Sequence, residues 1–317
     1  MFRYSMSRLL QAVIVVFVMS LLLFVLIGLM PGDPVENMLE GNPSLTPDAI
    51  AQMRSLYGID QPLYVRYGHW LSSALHGDFG YSSVYFRPVL DVLGPAVIQT
   101  AKLLLATQII SIPLAMLLGA LAARKPGGGT DSLISLFAFA SISLPGFWTS
   151  LILIIVFAVK LGWLPASGTP LLSGAPVSEQ LVHMILPVTV LTFFHVGPLV
   201  RYVRASMIET LNSDFVRTAR AKGLSEAAVV VRHALRNALI PMVTVLALGF
   251  GSLFSGALVV ETIFGMLGMG KVIYDAISNI DFNLALVGLL LATIVTLLSS
   301  LLADLAYAWL DPRIVLK

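Results

Sequence analysis

The sequence predicts an all-α polytopic membrane protein with six transmembrane helices and both termini in the cytoplasm. Hydrophobic residues make up 57% of the 317 positions and charged residues only 11%, against about 25% charged in a soluble domain. Apolar runs long enough for the ~20 residues that cross a bilayer recur along the chain. Basic residues gather in alternate loops. These observations exclude an ordinary soluble globule.

The apolar runs place the six spans near residues 9–29, 99–122, 132–159, 182–200, 240–262 and 284–309. Each span should be helical, because lipid offers no hydrogen-bond partners to the backbone. A transmembrane β-barrel would alternate polar and apolar residues instead. The first span reads as a retained anchor, since it is too long for a signal peptide and leads into the sequence MPGDP, with no small-residue cleavage site.

Loop charges give the orientation. With the N-terminus inside, the predicted cytoplasmic segments hold 13 of the 19 Lys and Arg residues, as the positive-inside rule requires. The chain then divides into residues 1–30 (N-terminal tail and first span), 31–97 (external segment with short helices), 98–311 (five-helix core with a cytoplasmic loop at 201–239) and 312–317 (cytoplasmic tail).

The external segment contains signals for two short helices. Thr46-Pro47-Asp48 is typical of a helix start, with Gly58 as the stop. A second helix is predicted from Pro62 to about Leu75. The segment caps the outer mouth of the bundle or meets an external partner.

We find no catalytic or metal-binding pattern. The five histidines form no His-Glu-x-x-His motif, and cysteine is absent. Gly127-Gly128-Gly129 lacks the Lys-Ser/Thr of a phosphate-binding loop. The spans are nearly bare of the acidic groups that ion-driven carriers need, apart from Glu261 and Asp304 near span ends. The chain therefore transports with energy supplied from elsewhere, or scaffolds other proteins.

The loop at 201–239 carries the strongest functional signal. A short helix is predicted from Ser213 or Asp214 to Lys222, Gly223 suits a left-handed C-terminal position, and Ser225 can cap a second helix. A basic helix could also adsorb to anionic lipid. The break at Gly223 and the small apolar face favour docking into a partner protein.

Several motifs, taken in order, resemble one family. RTARAKGL at 217–224 and RHALRN at 232–237 are similar to the coupling loop of ABC-importer permeases. Further motifs are similar to the first (B-type) permease subunit of dipeptide, oligopeptide and nickel importers, a family of binding-protein-dependent transport inner-membrane components: LMPGDP at 29–34, YGIDQP at 57–62, GDFG at 77–80, PASG at 165–168, ETIF at 261–264, GMG at 268–270 and DPR at 311–313.

The resemblance implies a type I ABC-importer permease fold in a bacterial inner membrane, without an ATPase site or cofactor of its own. Its partners would be a second homologous permease, two cytoplasmic ATPases that bind ATP and Mg, an extracytoplasmic binding protein and membrane lipid, but no nucleic acid. The residues implied in ATPase docking are Phe215, Arg217, Thr218, Ala219, Arg220, Ala221, Lys222, Gly223 and Leu224. Those implied in an outer gate are Glu261, Phe264, Gly268 and Gly270, and those in helix packing or the pathway are Gly249, Gly251, Ser252, Ser255 and Gly256.

The chain departs from the family pattern at one informative place. The family motif Glu-Ala-Ala-x-x-x-Gly would put its glutamate at Arg217, and the literal Glu226-Ala227-Ala228 follows Gly223 instead of preceding it. We therefore carry no glutamate contact over to Arg217. The alternatives left open are a self-sufficient ion-coupled secondary transporter, a related importer for nickel or glutathione-like cargo, and a membrane scaffold.

Overall fold

A computed structural model describes residues 2–30, 61–169, 174–230, 235 and 257–310, and helices dominate these ranges. In chain order they are α1 Phe2–Gly28, α2 Leu63–Leu75, α3 Val89–Ala123, α4 Gly129–Ser143, α5 Gly146–Leu153, α6 Val177–Leu211, α7 Asp214–Ala221, α8 Glu226–Ala228, α9 Met269–Ser278 and α10 Phe282–Leu310. A π-helical stretch, Ile154–Lys160, continues α5, and residues 257–263 are also helical.

Four of the described helices are long and apolar enough to cross a membrane. They are Met6–Gly28 within α1, the whole of α3, the whole of α6, and Phe282–Leu301 within α10. The bent pair of α4 and α5 can form one more span. The predicted fifth span, residues 240–262, lies mostly outside the described residues. The count of six and the cytoplasmic placement of both termini stay predictions.

The predicted third span, residues 132–159, is two helices and not one. α4 and the helix that follows it meet at an angle of 105°. The break falls at Leu144, whose ψ of 137° is extended, directly before Pro145. A proline disfavours the helical conformation of the residue before it and has no N–H to donate, so the chain turns there.

Two helices extend well beyond the apolar runs that predicted them. α3 begins at Val89, inside the predicted external segment, and α6 continues to Leu211, inside the predicted loop at 201–239. The additional N-terminal turns of α3 are stabilised by burial, since Val89 and Leu93 are fully buried in a cluster with Leu284. Hydropathy marks the lipid-facing length of a helix, whereas packing against other helices decides where it ends. The predicted helix from Pro62 to Leu75 is confirmed by α2, and the one near Thr46 lies outside the described residues.

The chain packs as two compact units. The larger takes its described residues from Thr100–Gly270 and Leu298–Lys317, and the other from Phe2–Gln99 and Lys271–Leu297. In the larger unit, one core cluster joins α3, α4 and α6 around Ala115, Ala138 and Val200. A second joins α3 and α6 to residues 257–266 around Leu103, Leu191 and Val260.

An ion pair between a buried carboxylate and a partly exposed arginine ties α4 to α6 within the larger unit. The Arg204 guanidinium donates to both carboxylate oxygens of Asp131, at 2.6 and 2.8 Å, and the Asp131 residue is only 4% exposed. The backbone N–H of Gly127 donates to the same carboxylate at 2.7 Å. The Gly127-Gly128-Gly129 turn is thus held by an acidic side chain on the next helix. A two-pronged guanidinium–carboxylate contact fixes orientation as well as distance.

In the second unit, aromatic rings and one aspartate hold the elements together. Phe24 of α1 meets Tyr67 and Phe282 edge to face at 5.4 and 5.1 Å between ring centroids. Buried Asp281 accepts from the Ser82 hydroxyl at 2.5 Å and from the backbone N–H of Leu284 at 3.2 Å. Asp281 therefore caps the N-terminus of α10 and also fixes the loop that leads into α3.

We expect Arg204→Gln to lower the thermal unfolding midpoint in detergent clearly more than Arg201→Gln does. Arg204→Gln removes charge-assisted hydrogen bonds to a buried carboxylate, a loss of about 1.5–3 kcal/mol. Arg201, one turn earlier on α6, is exposed and lies over the Phe139 ring at 5.3 Å, a contact of about 0.5–1 kcal/mol. Equal shifts in the two variants would show that the pair with Asp131 does not hold α4 to α6.

The predicted orientation can be tested by cysteine labelling, because the chain contains no cysteine. Leu267 and Lys222 are both exposed, and they are predicted to lie on opposite sides of the membrane. A membrane-impermeant maleimide should label Leu267→Cys in spheroplasts, and Lys222→Cys only in inverted vesicles. The unsubstituted chain is the blank. The reverse pattern would invert the topology.

Candidate functional site

The predicted loop contains a sharply defined turn, and we call residues 213–229 the elbow. Helix α7 ends at Ala221, and Gly223 has a φ of +80°. The N–H of Leu224 donates to the Ala219 carbonyl at 3.4 Å, and the N–H of Gly223 to the Arg220 carbonyl at 2.9 Å. These two bonds form a Schellman motif, which satisfies the last carbonyls of a helix and needs a left-handed residue at its corner. The predicted left-handed conformation of Gly223 at the end of this helix is confirmed.

A second helix and a small core complete the elbow. Ser225 caps α8 by accepting from the N–H of Ala228 at 3.4 Å. Val216, Ala219 and Val229 are buried together. Leu211, the last residue of α6, packs against this cluster, so the elbow is joined directly to the end of a membrane-spanning helix.

An ion pair spans the corner. The Arg220 guanidinium donates to both carboxylate oxygens of Glu226, at 2.8 and 3.2 Å. This hydrogen-bonded cation lowers the pKa of Glu226 below its ordinary value, so the pair is complete at neutral pH and is lost only as the pH falls through that lowered pKa. Glu226, which the sequence places on the wrong side of Gly223 for the family motif, therefore links the two helices of the elbow.

The residues predicted for docking separate into two groups. Ala219 is 5% exposed and belongs to the inner core of the elbow. The remaining residues of the predicted set face outward: Phe215, Arg217, Thr218, Arg220, Ala221, Lys222, Gly223 and Leu224. Phe215 at 48% and Leu224 at 38% exposure are its large apolar members. Arg217 lies 3.3 Å from Asp214, with both side chains mostly in solvent, where an ion pair has little strength.

A buried carboxylate organises the second predicted set. Glu261 is 0% exposed. Its Oε1 accepts from the Thr100 hydroxyl at 2.5 Å, and its Oε2 accepts from the backbone N–H of Gly270 at 2.8 Å. Thr100 in turn accepts from the backbone N–H of Met269 at 2.8 Å. Burial of a carboxylate is tolerated only with such partners.

Around this carboxylate the structure brings two of the quoted motifs into contact. The N–H of Gly168 donates to the Phe264 carbonyl at 2.7 Å, and a side chain at position 168 would overlap Met266. Phe264 itself is 1% exposed. The Ser167 carbonyl lies 2.6 Å from Nδ1 of His183. The loop at 165–168 and the turn at 264–270 therefore form one packed region.

Sequence reasoning missed several residues that matter here. No sequence motif marks Thr100, Asp131 or Arg204, because each of them bonds to a residue that is distant in the chain. The proposed packing residues Gly249, Gly251, Ser252, Ser255 and Gly256 lie outside the described residues. Within the part of the chain that the structure describes, no group of three or more His, Asp or Glu residues could hold a metal ion.

Comparison with known proteins gives the family. The model of the binding-protein-dependent transport system inner membrane component matches residues 115–316, and the model of its N-terminal region matches residues 1–92. The glutathione transport system permease protein GsiC of Escherichia coli is 36% identical over 317 residues, covering 100% of both chains. A Brucella ovis protein that carries the name of a peptide permease is 37% identical over 317 residues, covering 99% of both.

A peptide ABC transporter permease protein of Sinorhizobium fredii, by its name, is 35% identical over 311 residues and 98% of both chains. The similarity thus extends over the spans, the elbow and the turn at 264–270 together. This chain belongs to the family of binding-protein-dependent transport system inner membrane components.

Proposed function

We propose that the chain is the permease subunit of an ATP-driven ABC importer that carries peptide-like cargo across the inner membrane by alternating access. Family membership and relatives named for peptide and glutathione transport support this proposal. Glutathione is itself a tripeptide, so both kinds of name describe one chemical class. Cargo of this class has backbone amides and charged ends, and it needs a protein-lined path through lipid.

The chain supplies the path, and other subunits supply the energy and the cargo. Two cytoplasmic ATPases would bind ATP and Mg, a second homologous permease would complete the pathway, and an extracytoplasmic binding protein would deliver the cargo. The family description, a transport component that depends on a binding protein, supports these partners. The chain would have neither an ATPase site nor a cofactor of its own, in keeping with a sequence without a Walker motif.

The elbow is the surface that would dock the ATPase, and the observation that carries this role is its construction as a rigid corner. The Schellman motif and the buried cluster of Val216, Ala219 and Val229 hold its shape. The exposed Arg220–Glu226 pair adds a weaker link. Leu211 joins it to α6, and Arg204 joins α6 to α4. A displacement of the elbow would therefore reach two membrane helices without being absorbed by a flexible loop.

The ion-coupled carrier is the less favoured alternative. Such carriers depend on ionisable groups within the membrane. Asp131, the acid at the start of α4, is committed to Arg204, and Glu261 accepts hydrogen bonds from Thr100 and Gly270.

The function is tested by uptake of a radiolabelled tripeptide into proteoliposomes that contain the complete complex and its binding protein. Uptake should require ATP and Mg, and it should stop when the ATPases are omitted. Sustained uptake by this chain alone, under a proton or sodium gradient and without ATP, would establish the ion-coupled alternative instead.

Substitution of Gly223 tests the elbow. Gly223→Ala introduces about 1–2 kcal/mol of left-handed strain, although a Cβ there meets no atom within 4 Å. We expect uptake to fall severalfold at unchanged abundance in the membrane. Gly223→Pro should uncouple ATP hydrolysis from uptake more strongly, because it fixes φ near −65° and removes the N–H that bonds to Arg220.

Gly162→Ala is the matched control for this experiment. Gly162 also has a positive φ, +62°, and open space at its Cβ, but it lies outside the elbow. Its strain is similar, so uptake should stay near the wild-type rate. Equal losses from Gly162→Ala and Gly223→Ala would contradict a docking role for the elbow.

A further inference from the structure

The Glu261 carboxylate closes a small ring of hydrogen bonds inside the larger unit. The Thr100 hydroxyl donates to Oε1 of Glu261 and accepts from the N–H of Met269, while the N–H of Gly270 donates to Oε2. The Thr100 hydroxyl is therefore a hydrogen-bond donor and an acceptor at the same time. The ring thus depends on a single oxygen atom of α3, the Thr100 Oγ1. Valine has nearly the shape of threonine but lacks this hydroxyl, so Thr100→Val would open the ring.

This ring joins chain segments that are far apart in sequence. Thr100 lies in α3, Glu261 lies in the helical residues 257–263, and Met269 begins α9. The helix that carries Glu261 also packs against α3 through Val260 and Leu103. Apolar packing alone allows sliding between helices, whereas short hydrogen bonds to a buried carboxyl group fix one register.

The turn at 264–270 is closely packed at the two glycines that lie nearest this ring. A Cβ at Gly268 would overlap the Glu261 carboxylate, and a Cβ at Gly270 would lie 2.6 Å from the Leu258 backbone. Met266 and Met269 are buried, yet Leu267 between them is 52% exposed. The ring therefore holds a rigid turn whose apex is presented at the protein surface.

We propose that Glu261 is a positioning residue of the transport cycle. Through Thr100 it locks the turn at 264–270 to α3, so that the turn and the part of α3 around Thr100 move as one piece between the inward-open and outward-open states. The inference rests on the proposed function, since it needs an ATP-driven cycle. The inference goes beyond the proposed function by naming Glu261 and Thr100 as the pair that couples the motion of α3 to this turn. No sequence motif indicates this role for Thr100.

The experiment uses Leu267→Cys as a reporter, because the chain has no other cysteine. The complete complex is reconstituted with a cysteine-free second permease and labelled with an impermeant maleimide, once without nucleotide and once trapped with ATP, Mg and vanadate. With Thr100 in place, we expect the labelling rate to differ severalfold between the two states. Thr100→Ser keeps the hydroxyl and should retain the difference, whereas Thr100→Val should abolish it and lower tripeptide uptake about tenfold.

Thr107→Val is the matched control. Thr107 is also a fully buried threonine of α3, but its hydroxyl bonds to the Leu103 carbonyl of the same helix, at 2.8 Å. Thr107→Val should leave both the labelling difference and uptake near wild type. If Thr100→Val does not reach the membrane, Glu261→Gln replaces it. The glutamine oxygen can still accept from the Thr100 hydroxyl. Its NH₂ group then faces the Gly270 N–H, so that two donors meet, and the difference in labelling rate between the nucleotide states should shrink.

The outcomes are distinct. The proposal is overturned if Thr100→Val, or Glu261→Gln in its place, labels and transports like wild type, or if Thr107→Val is equally damaging. It is also overturned if the parent reporter labels at the same rate in both nucleotide states while uptake still needs ATP. Loss of ATP dependence in the parent complex would instead refute the proposed function.

Discussion

A polar group within lipid finds no water, so it must find its hydrogen-bond partner within the protein. This constraint accounts for the helices, since each satisfies its own backbone. It also accounts for side chains such as Thr189 and Thr293, whose hydroxyls donate to carbonyls one turn earlier. The same constraint makes the few polar contacts between helices decisive. A side chain that bonds across helices in such surroundings defines which helices stay together.

Among the described residues of the larger unit outside the elbow, polar side chains join helices at two places. Asp131 and Arg204 tie α4 to α6, and Glu261 ties α3 to the turn that begins α9. Apolar clusters fill the space between the helices. The elbow adds a third fixed point through Leu211. The unit thus has defined connections between its helices at the elbow, at the start of α4 and at the turn that begins α9.

Local chemistry made part of this structure predictable. The position of Gly223, the cap at Ser225 and the extent of α2 follow from rules that involve only neighbouring residues, and all three are found. The break at Pro145 also follows from a local rule, the effect of proline on the residue before it. It was missed because the apolar run continues through the break and suggested one uninterrupted helix. Contacts such as Thr100 with Glu261 depend on the packing of distant helices, for which a single sequence gives no signal. For the same reason, the burial of Ala219 was not foreseen.

The internal bonds of the elbow separate its shape from its recognition surface. The corner is set by backbone bonds and by residues buried beneath it, whereas the side chains of Phe215, Arg217 and Leu224 project outward and take no part in those bonds. Outward residues can therefore change without deforming the corner. If the elbow docks an ATPase, as proposed, surface substitutions alone can adapt a permease to a different ATPase while the corner itself keeps its shape.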